Sequence, residues 1–591
     1  MEKHLSQTWD LDVFFAGGSQ SAEFSAHLDQ LEQDIAKLQQ AIDKGAQTIE
    51  DHAALIAAIQ SIAVRLKQAG AFTSCLTAQD VRDEHAVLVS GRVKSIGASY
   101  HGALTKWEEQ LLNISDEQWQ ALLDHPEHVQ IAFPLEERRR RAKEKLAPEQ
   151  EVLANDLAVD GYHGWQDLYN AVVGRIKIEV EHEGKLQQLS VGQAANLMSH
   201  VDRDVRERVF AKWQQAWAEQ GELCAQALNH LGGFRLQLYR HRGWDDILKE
   251  PMDINRMSER TLHAMWEAIN NRKDRLVAYL ERKAKLLGVE KLSWADVGAP
   301  LGSVNKVIPY EEAAAFIQEH FGRFSPRLKE MAGIAFADRW IEAEDRPGKR
   351  PGGFCTSFPQ SGQSRIFMTY AGNTGNVSTL AHELGHAFHQ HVMSGVPPMA
   401  QNYAMNVAET ASTYAETIVA DAAVREASTP EERIALLEDK IQQSVAYFMN
   451  IQARFLFEQR FYAERKKGLV SVGRLNQLME EAQREAYGDA LSSYEPHFWA
   501  SKLHFYITTY PFYNFPYTFG YLFSLSLYAR TLEEGLAFEE KYINLLRDTG
   551  RLPVEELAKR HLGVEMGEVE FWQQAVDLAV ADIEEFLRLT E

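Results

Sequence analysis

Cysteine, uninterrupted apolar sequence and basic charge are all scarce in this chain of 591 residues, and each scarcity removes a class of protein. The three cysteines, Cys75, Cys224 and Cys355, lie far apart, form no CxxC pair and are odd in number. That pattern excludes a disulfide framework and a thiolate zinc site. Cys75 and Cys224 sit in helix-like stretches and read as buried apolar fillers. Cys355 shows no partner that would activate it as a nucleophile. No stretch approaches the roughly 20 apolar residues needed to cross a bilayer, so no membrane contact is expected. The opening residues, Met1 to Trp9, lack the basic start and apolar run of an export signal, and the expected location is cytoplasmic. Basic residues number 62 against 84 acidic ones, a formal net charge of −22 that disfavours nucleic acid as a partner. The one basic run, Arg138 to Arg141, is flanked by Glu136, Glu137 and Glu144 and reads as a solvated helix face.

What remains is an ordinary soluble composition, 45% hydrophobic and 25% charged, in a chain too long for a single core. The patterning is mainly α. Phe24, Leu28, Leu31, Ile35, Leu38 and Ile42 recur at steps of three and four, with Gly45 as a stop signal. Val209, Phe210, Trp213, Ala216 and Trp217 repeat that spacing and predict another core-facing stripe. Two places change to a period of two. Ile176, Ile178 and Val180 predict a small hairpin turning at Glu183-Gly184. Ile366, Met368 and Tyr370 predict a strand that ends at Ala371 to Gly375. The clearest loop is Asp345 to Gly353. The simplest division is an N-terminal helical region (1–110), a second module (111–195) and a larger chemistry-bearing region (196–591).

Just after the second strand comes His382-Glu383-Leu384-Gly385-His386, within a predicted helix from Asn376 to Ser394 with Ser378 as N-cap and Gly395 as its end. Histidines four apart project from one helix face, one turn apart, so both rings can reach one Zn2+. Glu383 is rotated about 100° from His382 and can stand beside a metal-bound water without being a ligand. A catalytic zinc needs a third ligand and an open position. A His six residues after His386, with Gly three after, would mark a metzincin; Val392 and His389 stand there and exclude that class. Glu409, 23 residues beyond His386, lies in the otherwise uncharged stretch Tyr403 to Ala415. Burying it requires a compensating cation, either the metal or an arginine. His389 could donate to a ligand or lie at the surface, and Glu416 could orient a ligand by hydrogen bonding. Nitrogen and oxygen ligands also suit cobalt or manganese.

The run Thr379 to His389 and the segment Val407-Ala408-Glu409-Thr410-Ala411-Ser412 resemble the zinc helix and third-ligand segment of oligoendopeptidase F and the wider family of thimet-oligopeptidase-like zinc peptidases. Trp9-Asp10-Leu11 is similar to the oligoendopeptidase F opening, and Leu135 to Tyr169 to that group's N-terminal module. The resemblance spans nearly the whole chain. It implies a mainly α, zincin-like body split by a deep channel, with one zinc ion at the floor and a small β-sheet beside the zinc helix. It implies short unstructured peptides as substrates, held by a strand from Arg365 to Tyr370 through its backbone. It also implies a late glycine-containing loop whose histidine and tyrosines bind substrate and the developing oxyanion. His504, Tyr513 and Tyr517 are the nearest counterparts, with Tyr510 and Tyr521 as further candidates. Several phenols and a histidine in one loop suit that task on their own chemistry, although aromatic core packing is the competing reading.

The expected reaction is metal-assisted peptide-bond hydrolysis: His382, His386 and Glu409 hold zinc, and Glu383 serves as general base. A helical carboxypeptidase or dipeptidyl carboxypeptidase would share that geometry and would add a cation for the substrate's terminal carboxylate. A peptide-binding scaffold without catalysis is the remaining rival. The expected assembly is a monomer or a small homo-oligomer.

Overall fold

The computed structural model describes residues 5–182, 184–302 and 307–591. Helix α1 (Ala22–Lys44) buries all six residues of the first stripe, starts where the Ser21 side chain accepts from the Phe24 N–H, and stops at Gly45, whose φ is 78°. Each such side chain contributes about 1.5–3 kcal/mol on burial. The stripe therefore holds α1 against α2 (Ile49–Gln79) and α3 (Glu84–Leu111). Helix α4 (Gly164–Arg175) leads into the expected hairpin, β1 (Ile178–His182) with β2 (Lys185–Leu189), in register from Ile178↔Leu189 to His182↔Lys185. Glu183 of the expected turn lies outside the described residues, as do Met1 to His4. Helix α5 (Arg203–Arg242) buries Val209, Trp213, Ala216 and Trp217 of the second stripe. Cys75 and Cys224 are buried as expected.

The arginine run corrects its sequence reading. Arg139 is buried and donates to the carbonyls of Leu111 (3.1 Å) and Ile114 (2.6 Å), with its guanidinium 4.7 Å over Trp119. Arg141 and Arg256 converge on the buried Glu137. The C-terminal end of α3 has carbonyls without helical partners, and the guanidinium satisfies them. A flanking-charge pattern cannot register such acceptors.

Strands β3 (Ile341–Glu342), β4 (Phe354–Phe358) and β5 (Gln363–Phe367) form a sheet in the order β3-β5-β4, with β3 parallel and β4 antiparallel to β5. The strand expected at Arg365 to Tyr370 thus starts earlier, and it is the central strand. It cannot offer an edge to a peptide; β4 stands at the edge instead. Residues Ser364 to Met368 are all buried, because both faces of β5 are covered. Arg365, on the nominally polar face, donates to the Asp10 carbonyl at 3.0 and 2.7 Å, while Trp9 packs on Phe367 with ring centroids 5.7 Å apart. The chain's first segment is thereby stapled under the sheet.

Beyond the sheet come α6 (Thr374–Val392), α7 (Thr410–Glu426), α8 (Pro430–Val445), α9 (Ile451–Arg465), α10 (Phe515–Glu534), α11 (Glu539–Asp548) and α12 (Val569–Leu589). Helices α6 and α7 make the most extensive helix pair. Helix α10 is buried along most of its length, between α7 and α12. No helix among the described residues is long and apolar enough to cross a membrane.

Candidate metal centre and active site

Asn373, not Ser378, caps α6: its side chain accepts from the Asn376 N–H at 2.9 Å, worth about 1 kcal/mol. Ser378 lies a turn inside, where its hydroxyl donates to Glu416 Oε1 at 3.3 Å. Farther along this helix, His382 and His386 stand with ring centroids 4.9 Å apart. Each Nε2 is 3.3 Å from Glu409 Oε2. Glu409 sits at the junction between the turn Met405–Ala408 and α7, and the Ser412 hydroxyl donates to its Oε2 at 2.9 Å. Two glycines make room for this meeting. A Cβ at Gly385 would overlap the Ala411 carbonyl and lie 2.6 Å from Ser412 Cα. A Cβ at Gly520 would come within 3.2 Å of Glu409 Cβ.

The ligand-type atoms of His382, His386 and Glu409 all lie within 4.8 Å of one another. Bonds of about 2.0–2.1 Å in a tetrahedron would set ligand atoms about 3.3 Å apart, which is the spacing of both Nε2–Oε2 pairs. The tautomer agrees. His382 Nδ1 faces Glu416 Oε2 at 3.1 Å, and Glu416 Oε1 accepts from Gln443 Nε2 at 2.7 Å. With its proton on Nδ1, His382 turns a lone pair toward a carboxylate oxygen, and two acceptors 3.3 Å apart require a cation between them. The residues therefore fit a zinc ion. Without metal, a proton does the same work. Burial opposes charge on His382, but hydrogen bonds with Glu409 and Glu416 prevail and hold its pKa up to about 10. The same histidines keep the Glu409 carboxyl well below its usual range despite burial.

Glu383 is buried beside this cluster, and its Oε2 has no hydrogen-bond partner among the described residues. Burial raises its pKa, against the pull of His386 and His382. It lies next to the start of β4, since a Cβ at Gly353 would be 3.4 Å from its Oε1. Cys355, in β4, has a thiol pushed well up by burial and so stays neutral, as expected of a non-nucleophile.

The late residues also gather. His504 lies 5.5 Å from Tyr513 and 6.3 Å from Tyr517 between ring centroids, and the two tyrosines are 5.8 Å apart. His504 Nδ1 is buried without a partner among the described residues. Burial, with the charges of Arg454 and Lys502, lowers its pKa to about 4, so the ring is neutral. The Tyr517 phenol is held above its usual range by burial, by Tyr513 and by the nearby charge of Glu409. Tyr510 is exposed and flanks Tyr513 at 6.2 Å. Tyr521 turns away: its hydroxyl pairs with Ser444 and its ring stacks on Tyr447 at 4.6 Å. His389 is neither a donor to the ligands nor a surface group. It is fully buried, paired with Thr549 Oγ1 at 2.9 Å and stacked on Tyr403 at 4.2 Å.

The approach to the late loop is held by the N-terminal half. Gln166 Oε1 accepts from both the N–H (3.0 Å) and the hydroxyl (2.9 Å) of Thr508, and the Tyr162 hydroxyl donates to the Thr508 carbonyl at 2.9 Å. Tyr169 stacks on Tyr506 at 3.7 Å. The buried Arg235 donates to the hydroxyls of Tyr162 and Tyr462. Sequence reasoning missed Gln166 and Gln443, whose partners lie far away along the chain, and gave no role to Ser412 or Gly520 within the segments it quoted. Gly385 stood in plain view, inside the histidine motif.

Comparison with known proteins gives the class first: the chain is a peptidase. Residues 196–578 match the model of Peptidase family M3 and residues 110–178 that of Oligopeptidase F; the chain belongs to peptidase family M3. It is 23% identical over 602 residues to an oligoendopeptidase F homolog of Lactococcus lactis, covering 99% of this chain and 97% of that one. It is 24% identical over 593 residues to the group B oligopeptidase PepB of Streptococcus agalactiae, covering 96% and 94%. The fold is shared with the crystal structure of oligoendopeptidase-F from Enterococcus faecium, at a TM-score of 0.71, 19% identity and coverage of 96% and 98%.

Proposed function

We propose that this chain is a zinc-dependent endopeptidase that hydrolyses short, unstructured peptides. The observation that carries the reading is the convergence of His382, His386 and Glu409 on one point, with the Glu383 carboxylate beside them, its Oε2 without a partner among the described residues. Those three residues would hold the metal. When bound, zinc supplies a Lewis acid that acidifies water and polarises a carbonyl oxygen. Glu383 takes a proton from the attacking water and returns it to the leaving amine; burial, which raises its pKa, brings it closer to the range where both transfers are effective. Tyr517, Tyr513 and the neutral His504 donate hydrogen bonds to the oxyanion. The open edge of β4 takes the substrate backbone, in place of the strand expected from sequence.

Restriction to short peptides is supported by the site's recess: the three ligand side chains keep only 18–31% of their surface exposed. The separate matches at 110–178 and 196–578 support modules at 111–195 and 196–591, and three free thiols suit a cytoplasmic setting. The test is digestion of a quenched-fluorescence peptide series with the purified protein, with chelator, and after zinc is restored. Internal cuts that vanish with chelator and return with zinc are expected. Cleavage unaffected by complete metal removal would end the proposal.

A further inference from the structure

One polar recess next to the metal helix takes no part in the chemistry above. It has a volume of about 370 Å³ and is walled by Ser357 and Phe358 of β4, by Gln390 at the C-terminal end of α6, by Tyr403 and Tyr510, and by Lys67 of α2. Gln390 is four residues beyond His386, so it repeats the face that carries both histidines one turn farther on. One turn is about 5–6 Å, and an extended peptide rises about 3.3 Å per residue. A substrate lying along β4 with a carbonyl at the metal centre would thus place in this recess a group about two residues from the cleaved bond.

The recess has a sign. Among the described residues, Lys67 is the one Lys or Arg in its walls, and no Asp or Glu lines it. Lys67 keeps its side chain accessible and makes no ion pair or hydrogen bond among the described residues. Its field reaches the metal helix, for its charge contributes to the lowered pKa of His389, down to about 3, after burial and His386. The surrounding protein lowers the pKa of Lys67 itself, only partly offset by the Cys355 thiol. An unpaired ammonium in a protein-walled recess gains from a carboxylate that desolvates with it.

We propose that Lys67 is a specificity-determining residue, whose ammonium binds a substrate carboxylate about two residues from the cleaved peptide bond. The carboxylate is either the peptide's own C-terminus or an Asp or Glu side chain. The inference rests on the peptidase reading and deepens it by giving the substrate a charge.

The test measures binding on the Glu383→Gln background, so that it does not depend on turnover, alongside cleavage by the wild type. The probes are a labelled peptide with a free C-terminus, its C-terminal amide, and a series carrying Glu or Gln at each successive position. The expected result is that one carboxylate-bearing probe binds about tenfold tighter than its neutral counterpart. Lys67→Met should abolish that preference and Lys67→Arg should keep it, with zinc content unchanged in both. In the Lys67→Met single variant the loss should appear in KM rather than kcat. Preference for the free acid over the amide identifies the terminal carboxylate; preference for Glu over Gln at one position identifies a side chain. Equal binding of acid and neutral probes, or a preference that survives Lys67→Met, overturns the proposal. Absence of wild-type cleavage would instead count against the peptidase reading, because the binding preference is read separately.

Discussion

Glu383 has one carboxylate oxygen with no partner among the described residues in a buried place, a costly condition that a structural side chain would be expected to relieve. Glu383→Gln should leave zinc stoichiometry intact and lower kcat by about 10²–10⁴-fold, as loss of a general base does; metal analysis beside peptide kinetics checks both halves. His504 supplies a second single-residue prediction. Its folded pKa of about 4 lies below the value of about 6.5 in an unfolded chain. Between those values the unfolded state binds more protons, so His504 contributes stability that is present above about 6.5 and lost as pH falls toward 4. His504→Gln should therefore narrow the gap between urea midpoints measured at pH 7 and pH 5. At this scale the sequence was most legible where chemistry forces spacing. His382, Glu383 and His386 declare themselves by helical geometry, and Glu409 by its isolation among uncharged residues. Composition alone did not rank Tyr510, Tyr513, Tyr517 and Tyr521, because phenols at an active site and phenols in a core look alike; the exposure of Tyr510 and the Ser444 pairing of Tyr521 set those two apart.

The joint between α6 and α7 is where elements, rather than residues, create the site. Gly385 sits where any side chain would meet the Ala411 backbone. Gly385→Ala must spread the two helices, costing about 1–3 kcal/mol as overpacking does. It should also carry Glu409 away from both histidines. The expected outcome is a lower melting temperature together with weaker zinc affinity in chelator competition, and a variant with unchanged affinity would show that the joint tolerates the methyl group. Helical periodicity disclosed α1, α5 and α6 well, since one-sided burial leaves a stripe. Alternation disclosed β5, which starts earlier than expected, but it did not show that both faces are covered with Arg365 buried, or that β4 rather than β5 stands at the edge.

At the scale of the whole molecule, the late loop depends on contacts more than 300 residues away in sequence. Gln166→Leu removes two hydrogen bonds to Thr508 without touching the metal ligands. It should lower kcat by about tenfold to a hundredfold through misplacement of His504, Tyr513 and Tyr517. Zinc content should stay normal, and equal kcat would show that the loop is fixed without this tether. Such contacts left no local signature, which is why the helical class was readable and the arrangement of its parts was not.

Gly520 backs the segment that bears Glu409, yet it follows it by 111 positions along the chain. During synthesis the two histidines leave the ribosome long before the helix that presses Glu409 toward them. The three donor side chains thus meet only once α10 has emerged and packed behind Glu409, so folding, not the appearance of the histidine motif, sets when the cluster exists.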